Sequence, residues 1–207
     1  MRPRPAANAD ARPINNVEFL VIDVETTGLS TATDVILQVG AVVTDSSGRI
    51  KRKFSTYVRP GDGSLPWDTP QPPAHEIHGI TNDDINRGLP TRRALRRLRR
   101  LARRRVLVAH NAKFDYGFIS SESERHSVPL HVDNPVCTLE LSRKLDPKRA
   151  ESHRLATLCE RYGIPLDNAH DALCDATATA HLLSVLIKNH GATTVGDLRR
   201  IASRKAA

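Results

Sequence analysis

The stretch FLVIDVETTGL, residues 19–29, decides the fold of this chain. It begins with four continuous apolar residues, which is typical of a strand buried on both faces. Asp23 and Glu25 follow, and residues two apart on a strand point to the same face. A structural ion pair would explain one buried acid, but two neighbouring carboxylates repel each other unless a cation lies between them. The stretch therefore predicts a buried strand with a pair of cation-binding carboxylates near its C-terminal end.

Four further strands are predicted from apolar runs, at residues 35–44, 50–58, 106–109 and 132–136. The first two of these runs are separated by a short turn at residues 46–48, so they should pair antiparallel. A Pro-rich segment then predicts a long loop.

Helical patterns occupy most of the rest of the chain. Thr81 with Asp84 three residues later predicts a capped helix start. Further helices are predicted at residues 92–105, 116–126, 138–145, 155–162, 172–189 and 195–203. Strands followed by helices in this order indicate a mixed sheet with helices packed against it.

The length of 207 residues fits one α/β domain, predicted here over residues 17–203. Residues 1–16 are Pro-, Ala- and Arg-rich and predict a disordered leader, and residues 204–207 a tail. The leader lacks the apolar block of a signal peptide, and no apolar run approaches the length of a membrane span, so a cytoplasmic protein is expected. Three cysteines without CxxC spacing predict reduced thiols rather than a disulfide framework or a zinc site.

The net charge of +8 is a local feature. Residues 92–105 (RRALRRLRRLARRR) hold nine arginines and no acid, and removing them leaves 8 − 9 = −1. Leucines every third residue predict a helix with a narrow apolar seam and an arginine-coated outer face. That face is either a phosphate-attracting surface or an ordinary solvated face, and the sequence favours neither.

Two later stretches add further candidate ligands. Asp115 ends HNAKFD, at the start of a predicted helix, where a plain helix cap is an equally good reading. His170 and Asp175 lie in HDALCDA, and the small and apolar residues that follow place Asp175 on an inward helix face. Acidic oxygen ligands in apolar surroundings indicate divalent cations, and two such cations are the usual means of cleaving a phosphodiester bond.

Together these motifs resemble the DEDDh branch of the 3′→5′ exonuclease superfamily, which includes the epsilon proofreading subunit of bacterial replicative polymerases. The matching motifs are DVETTGL at 23–29, HNAKFD at 110–115 and HDALCDA at 170–176, with HGI at 78–80 as a fourth match. The histidine lies five positions before the last aspartate, whereas the sister branch carries a tyrosine four positions before it. The resemblance implies a ribonuclease H-like α/β fold with a central mixed five-stranded sheet flanked by helices.

The resemblance also implies roles for individual residues. Two Mg²⁺ or Mn²⁺ ions would be bound by Asp23, Glu25 and Asp175, with Asp115 on the second ion. His170 would be the general base that takes the proton of the attacking water. The 3′-terminal nucleotide would be bound by four further residues, Thr26, Gly28, Leu29 and His78.

The expected activity is metal-dependent release of nucleoside 5′-monophosphates from the 3′ ends of single-stranded or frayed DNA. The same chemistry on RNA, and a non-catalytic nucleic-acid adaptor built on the arginine helix, are the alternatives. The chain has only two glutamines, Gln38 in a predicted strand and Gln71 in the Pro-rich loop, so a Gln-led clamp-binding peptide is not indicated. The sequence leaves association with a polymerase unsupported and the oligomeric state open.

Overall fold

A computed structural model describes residues 9–61, 69–130, 132 and 134–203 of the chain. Within these ranges, six strands form one mixed sheet. In chain order they are β1 (Phe19–Thr26), β2 (Ile36–Thr44), β3 (Ile50–Arg59), β4 (Leu89–Pro90), β5 (Val106–Ala109) and β6 (Val136–Cys137).

The strand order across the sheet is β4-β3-β2-β1-β5-β6. β2 pairs antiparallel with both β1 and β3, as predicted, whereas β1, β5 and β6 are mutually parallel. The C-terminal ends of β1, β3 and β5 therefore lie at the same edge of the sheet.

The mixed sheet is confirmed, but the predicted count of five strands is wrong. The sixth strand is β4, two residues that pair parallel with the end of β3 and are too short to show an alternating pattern. The last strand, predicted at residues 132–136, contains only Val136 and Cys137.

Eight helices surround the sheet in the described part of the chain. They are α1 (His75–His78), α2 (Asn82–Arg87), α3 (Thr91–Ala102), α4 (Ala112–Arg125), α5 (Thr138–Leu145), α6 (Leu155–Tyr162), α7 (Ala172–His190) and α8 (Val195–Ser203). The predicted cap of α2 is confirmed, because the Thr81 side chain accepts from the Asp84 N–H and Asp84 accepts from the Thr81 N–H.

Two predicted helix boundaries are corrected. α4 starts at Ala112 rather than at residue 116, because Asn111 takes a left-handed conformation (φ 70°) that turns the chain directly from β5 into the helix. α3 ends at Ala102 rather than at residue 105. The chain turns out of the helix there, with Arg104 left-handed at φ 63°.

The two faces of the sheet carry different helices. Phe19 and Val21 of β1 pack in the cluster that includes α7, whereas Leu20 and Ile22 pack in the cluster that includes α3 and α4. Because side chains alternate along a strand, the odd-numbered residues of β1 face α7. This alternation turns Asp23 and Glu25 towards α7.

The predicted disordered leader is corrected from residue 9 onwards. Ala9–Ala11 and Ile14–Asn16 form short 3₁₀ turns, and Ile14 is buried. The Ile14 N–H donates to the Thr193 carbonyl at 2.9 Å, which ties this segment to the start of α8. Residues 1–8, the tail at 204–207 and part of the Pro-rich loop, 62–68, lie outside the described residues.

The three cysteines, Cys137, Cys159 and Cys174, are free thiols, as predicted. Among the helices described, none combines the length and the apolar character needed to cross a lipid bilayer.

Candidate active site

The β1 carboxylates lie at the C-terminal end of the strand, on the side of α7. Asp23 is paired across the sheet with Gly40, and Glu25 with Gln38. Both acidic side chains are partly exposed, whereas Val24 between them is buried. The strand therefore presents two carboxylates to a cleft and anchors them through its apolar residues.

The N-terminus of α7 is fitted closely against β2. A methyl group on Gly40 would lie 2.0 Å from the Ala172 carbonyl oxygen, so only glycine lets the helix approach this near. The Gln38 amide donates to Asp171 Oδ2 at 2.9 Å and accepts from the Ala172 N–H at 3.1 Å. These contacts fix the first turn of α7, which carries Asp175, beside Asp23 and Glu25.

Gln38 is a contributor that sequence reasoning missed. Gln38 was interpreted only as a strand residue, although a polar amide in an apolar strand that is 4% exposed needs hydrogen-bond partners. Asp171 caps α7 by accepting from the N–H groups of Leu173 and Cys174. Burial alone would raise the pKa of Asp171, but hydrogen bonds from Gln38 and Cys174 outweigh it and lower the pKa. Asp171 is thus an ionised helix cap, and both of its carboxylate oxygens accept hydrogen bonds.

Asp115 joins the site from the opposite face of the sheet. It lies in the first turn of α4, is 4% exposed, and its Oδ1 accepts from the Val24 N–H at 3.2 Å. The alternative that Asp115 caps α4 is wrong, because Asn111 occupies the cap position. Asp115 instead accepts a hydrogen bond from the backbone of Val24, the residue between Asp23 and Glu25.

His170 precedes α7 and lies next to Asp175. It takes a left-handed conformation (φ 66°), and its N–H donates to Asp175 Oδ2 at 3.3 Å. Ligand atoms of Glu25, His170 and Asp175 all lie within 4.8 Å of one another. The second oxygen of Asp175, Oδ1, is buried and has no hydrogen-bond partner among the described residues.

The pKa values show how strongly these carboxylates interact. Burial and the charges of Asp115, Asp175 and Glu25 raise the pKa of Asp23 well above its ordinary value. Burial and the charge of Asp175 raise the pKa of Glu25 to about 8. Burial also raises the pKa of Asp115 to about 7, despite the hydrogen bond from Val24, and raises that of Asp175. The four acids therefore share one pocket, where their ionised forms repel.

This donor set fits divalent cations. Four carboxylates that disfavour joint ionisation and an unpartnered buried oxygen on Asp175 need a positive charge among them. Carboxylate oxygens are the ligands that Mg²⁺ and Mn²⁺ prefer.

The end of β1 and the loop after it carry three of the residues predicted to contact substrate. Thr26 is buried and donates through Oγ1 to the Gly28 carbonyl at 2.7 Å. A methyl group on Gly28 would lie 2.6 Å from Asp34 Oδ2 and would displace this carboxylate, which accepts from Thr27 Oγ1 and from the Ser30 N–H. Leu29 is 85% exposed and leaves an apolar side chain open to a ligand.

His78 lies in α1, near His170. Burial lowers its pKa, with smaller contributions from the charges of His75 and His170. Its Nδ1 accepts from the Ile80 N–H at 3.0 Å, so Nε2 carries the proton and donates to the Pro73 carbonyl at 3.2 Å. The structure thus brings His78 within electrostatic range of the candidate base.

A cavity of about 800 Å³ opens beside His170 and Asp175. His110 lines it, and burial lowers the pKa of His110 to about 4, so this histidine is neutral. Three arginines also line it. Arg143 lies in the last turn of α5, and Arg149 and Arg154 lie between α5 and α6. Scattered arginines form no local motif, so sequence reasoning did not identify this basic wall.

Comparison with known proteins agrees with this architecture. Exonuclease I of E. coli in complex with a dT13 oligonucleotide has a TM-score of 0.72 and 25% identity, over 85% of this chain and 42% of that one. A 3′-exonuclease that recognises a histone mRNA stem-loop has a TM-score of 0.71, but at 15% identity it shows the fold alone. The fold is thus shared with known exonucleases.

The sequence comparisons identify the family. Residues 20–183 match the RNase_T exonuclease family, and the chain belongs to it. A PolC-type DNA polymerase III of Streptococcus pneumoniae serotype 2 is 35% identical over 192 residues, which is 91% of this chain. The chain spans only 12% of the length of that polymerase. Members of this family use divalent metal ions.

Gly40→Ala should displace the first turn of α7, because the new methyl group would overlap the Ala172 carbonyl. We expect a loss of stability of about 1–3 kcal/mol and a loss of nuclease activity. Urea unfolding and an oligonucleotide digestion assay measure the two effects. Gly117→Ala in α4 is the matched control, since its methyl group would meet only Thr31, at 3.4 Å. A fully active Gly40→Ala protein would contradict this account of the site.

Gln38→Met should remove both hydrogen bonds that hold the start of α7 while keeping a side chain of similar size. The Ala172 N–H and Asp171 Oδ2 lose their partner, and such supporting contacts are typically worth about 10–100-fold in metal affinity or activity. Titration of nuclease activity with Mn²⁺ should show a raised half-saturation concentration. Unchanged metal dependence in a folded Gln38→Met protein would show that this amide does not position Asp175.

The metal-free protein should become less stable as the pH rises from about 5 to about 8.5. The pKa values of Glu25 and Asp115, about 8 and about 7, are raised by folding, so the stabilisation from their protonated forms is lost through this range. Carboxylates with lowered pKa values, such as Asp197, act only below about pH 4. The lowered pKa values of His110 and His78 oppose the trend, but only below about pH 6.5, so the fall is steepest above that pH. Thermal unfolding in EDTA measures the trend, and Mg²⁺ or Mn²⁺ should raise Tm more at the higher pH.

Glu25→Gln should flatten this trend and stabilise the metal-free protein at high pH, because it removes one of the repelling charges. Glu124→Gln, exposed on α4, is the control and should leave the trend unchanged. A Tm in EDTA that stays constant or rises over this pH range would refute the proposed repulsion.

Proposed function

We propose that this protein is a metal-dependent 3′→5′ exonuclease that hydrolyses phosphodiester bonds at 3′ ends of single-stranded or frayed DNA and releases nucleoside 5′-monophosphates. The observation that carries the proposal is the convergence of four carboxylates at the end of β1, beside His170. These acids come from β1, α4 and α7, which are distant in sequence, and membership of the RNase_T exonuclease family supports the same conclusion.

The four carboxylates would act as metal ligands. Asp23, Glu25 and Asp175 would hold two Mg²⁺ or Mn²⁺ ions, with Asp115 on the second ion directly or through water. The unpartnered Oδ1 of Asp175 supplies one free ligand atom. When bound, such ions lower the pKa of a water molecule and stabilise the leaving oxygen of a phosphodiester.

His170 would act as the general base. It lies at the exposed entrance of the site, and its backbone N–H is bonded to Asp175, which keeps the base and a metal ligand in one unit. A ring nitrogen of His170 would accept the proton of the attacking water. Imidazole suits this step because it exchanges protons near neutral pH.

The terminal nucleotide would be held by the loop after β1 and by α1. Leu29 offers an exposed apolar surface to the base, and the Thr26–Gly28 hydrogen bond shapes the backbone beneath it. His78 would contact the terminal sugar or phosphate in exchange for its bond to Pro73.

DNA is favoured as the substrate by the relatives that carry sequence similarity. Those relatives are DNA polymerase III proteins of the PolC type, and exonuclease I has been solved with DNA oligonucleotides. The mRNA-recognising exonuclease shares only the fold. A non-catalytic adaptor is disfavoured because all four acids and His170 are in place.

A digestion assay tests the proposal. A 5′-labelled DNA 20-mer and the RNA of the same sequence are incubated with Mg²⁺, with Mn²⁺ or with EDTA. We expect a ladder that shortens from the 3′ end, faster on DNA, and no digestion in EDTA. Asp175→Asn should abolish cleavage, and His170→Ala should lower kcat by about 10²–10⁴-fold. Digestion that persists in EDTA would overturn the proposal, and faster RNA cleavage would reverse the substrate preference.

A further inference from the structure

Helix α3 and the residues after it present an unusual density of positive charge. Eight arginines are exposed, and no acidic residue occurs between positions 91 and 109. They are Arg92, Arg93, Arg96, Arg97, Arg99, Arg100, Arg103 and Arg104. No described carboxylate forms an ion pair with any of the eight, whereas the neighbouring Arg105 pairs with Glu18 at 2.7 Å.

Packing does not require these arginines. Ala94, Leu95 and Leu98 are buried and attach α3 to the sheet. Of the arginines, Arg97 has its guanidinium 5.7 Å from the centre of the Phe54 ring, and the rest of the face is open. A solvated helix surface usually mixes both signs of charge, so a face of one sign indicates an anionic partner.

The position of α3 relates this surface to the site. Glu25, Gln38 and Tyr57 lie in one row across β1, β2 and β3. Arg59, two residues past Tyr57, accepts through its carbonyl a hydrogen bond from Thr91 Oγ1 at 3.2 Å. From the strand spacing and rise, Arg59 is about 12 Å from Glu25, so α3 begins near the edge of the sheet that holds the site.

From there α3 runs to the opposite edge, since β5, which follows it, starts at Val106 beside Phe19, the first residue of β1. Twelve helical residues span about 18 Å. α3 packs on the face of the sheet opposite α7, so a strand that leaves the site passes around the end of the sheet to reach it. The arginine surface starts roughly 12 Å from Glu25 in the plane of the sheet and lies one helix layer beyond that plane.

We propose that the exposed arginine face of α3 binds the phosphodiester backbone of the substrate upstream of the 3′ end that is being hydrolysed. This inference rests on the proposed function. Contacts with backbone phosphates are independent of sequence and depend on salt. The face carries no exposed large apolar residue, which disfavours insertion into a lipid surface.

The test compares two triple variants with equal loss of charge. Arg92→Gln/Arg93→Gln/Arg96→Gln removes charge at the start of α3, and glutamine preserves helix propensity. Arg49→Gln/Lys53→Gln/Lys188→Gln removes three exposed charges elsewhere. Binding of a fluorescent DNA 20-mer is measured by anisotropy in EDTA over a range of salt concentrations, and cleavage of a trinucleotide and of the 20-mer is measured with metal.

We expect the slope of log Kd against log salt concentration to be smaller by about 2 in the α3 variant. Each lost phosphate contact lowers this slope by about 0.7, and the variant loses three arginines. Its KM should rise on the 20-mer, while its kcat and KM on the trinucleotide match those of the unmodified protein. The control variant should retain the original slope.

An unchanged slope in the α3 variant would overturn the inference, as would an equal loss on the trinucleotide or an equal effect of the control variant. Failure of the proposed function gives a different result, because the unmodified protein would then cleave neither substrate. The binding measurement in EDTA still decides the role of α3 in that case.

Discussion

Repulsion among the four carboxylates at the end of β1 is the constraint on which the rest of this structure depends. The charges of four nearby acids, three of them in the cluster, raise the pKa of Asp23, and the raised pKa values of Glu25 and Asp115 show that nearby cations of the fold do not neutralise the cluster. A chain selected only for stability would not gather them. The cluster is therefore explained by what it binds, and the surrounding elements are explained by the need to hold it together.

The closure of α7 on β2 opposes that repulsion. Gly40 removes the side chain that would separate the helix from the sheet, and the Gln38 amide bonds to both the cap residue Asp171 and the Ala172 N–H. The apolar face of α7 packs in the same cluster as Phe19 and Val21 and adds a hydrophobic contribution along the whole strand. Asp175 is thus held in place by contacts made through neighbouring residues, which leaves its own Oδ1 free for a ligand.

Local patterns in the sequence were sufficient for the features that one element determines alone. The alternation of β1 placed Asp23 and Glu25 on one face, and Thr81 with Asp84 predicted a capping box, as the structure has them. Features that need two distant segments were not predictable in this way. β4 exists only because it reaches the end of β3, and Gln38 acquires its role only when α7 arrives, 133 residues later. Residues 9–16 likewise fold because Ile14 meets α8.

The charges of this molecule are separated rather than balanced. Outside residues 92–105 the net charge is −1, so the positive excess lies on and just beyond α3, and the carboxylates concentrate negative charge at the end of β1. A polyanion would be repelled by the acidic cluster alone, and bound cations together with a basic surface nearby would offset that repulsion. Attraction over tens of ångströms weakens with salt, whereas the short-range contacts at the cluster do not. Affinity for a long strand and chemistry at its end can therefore reside in different parts of one small domain.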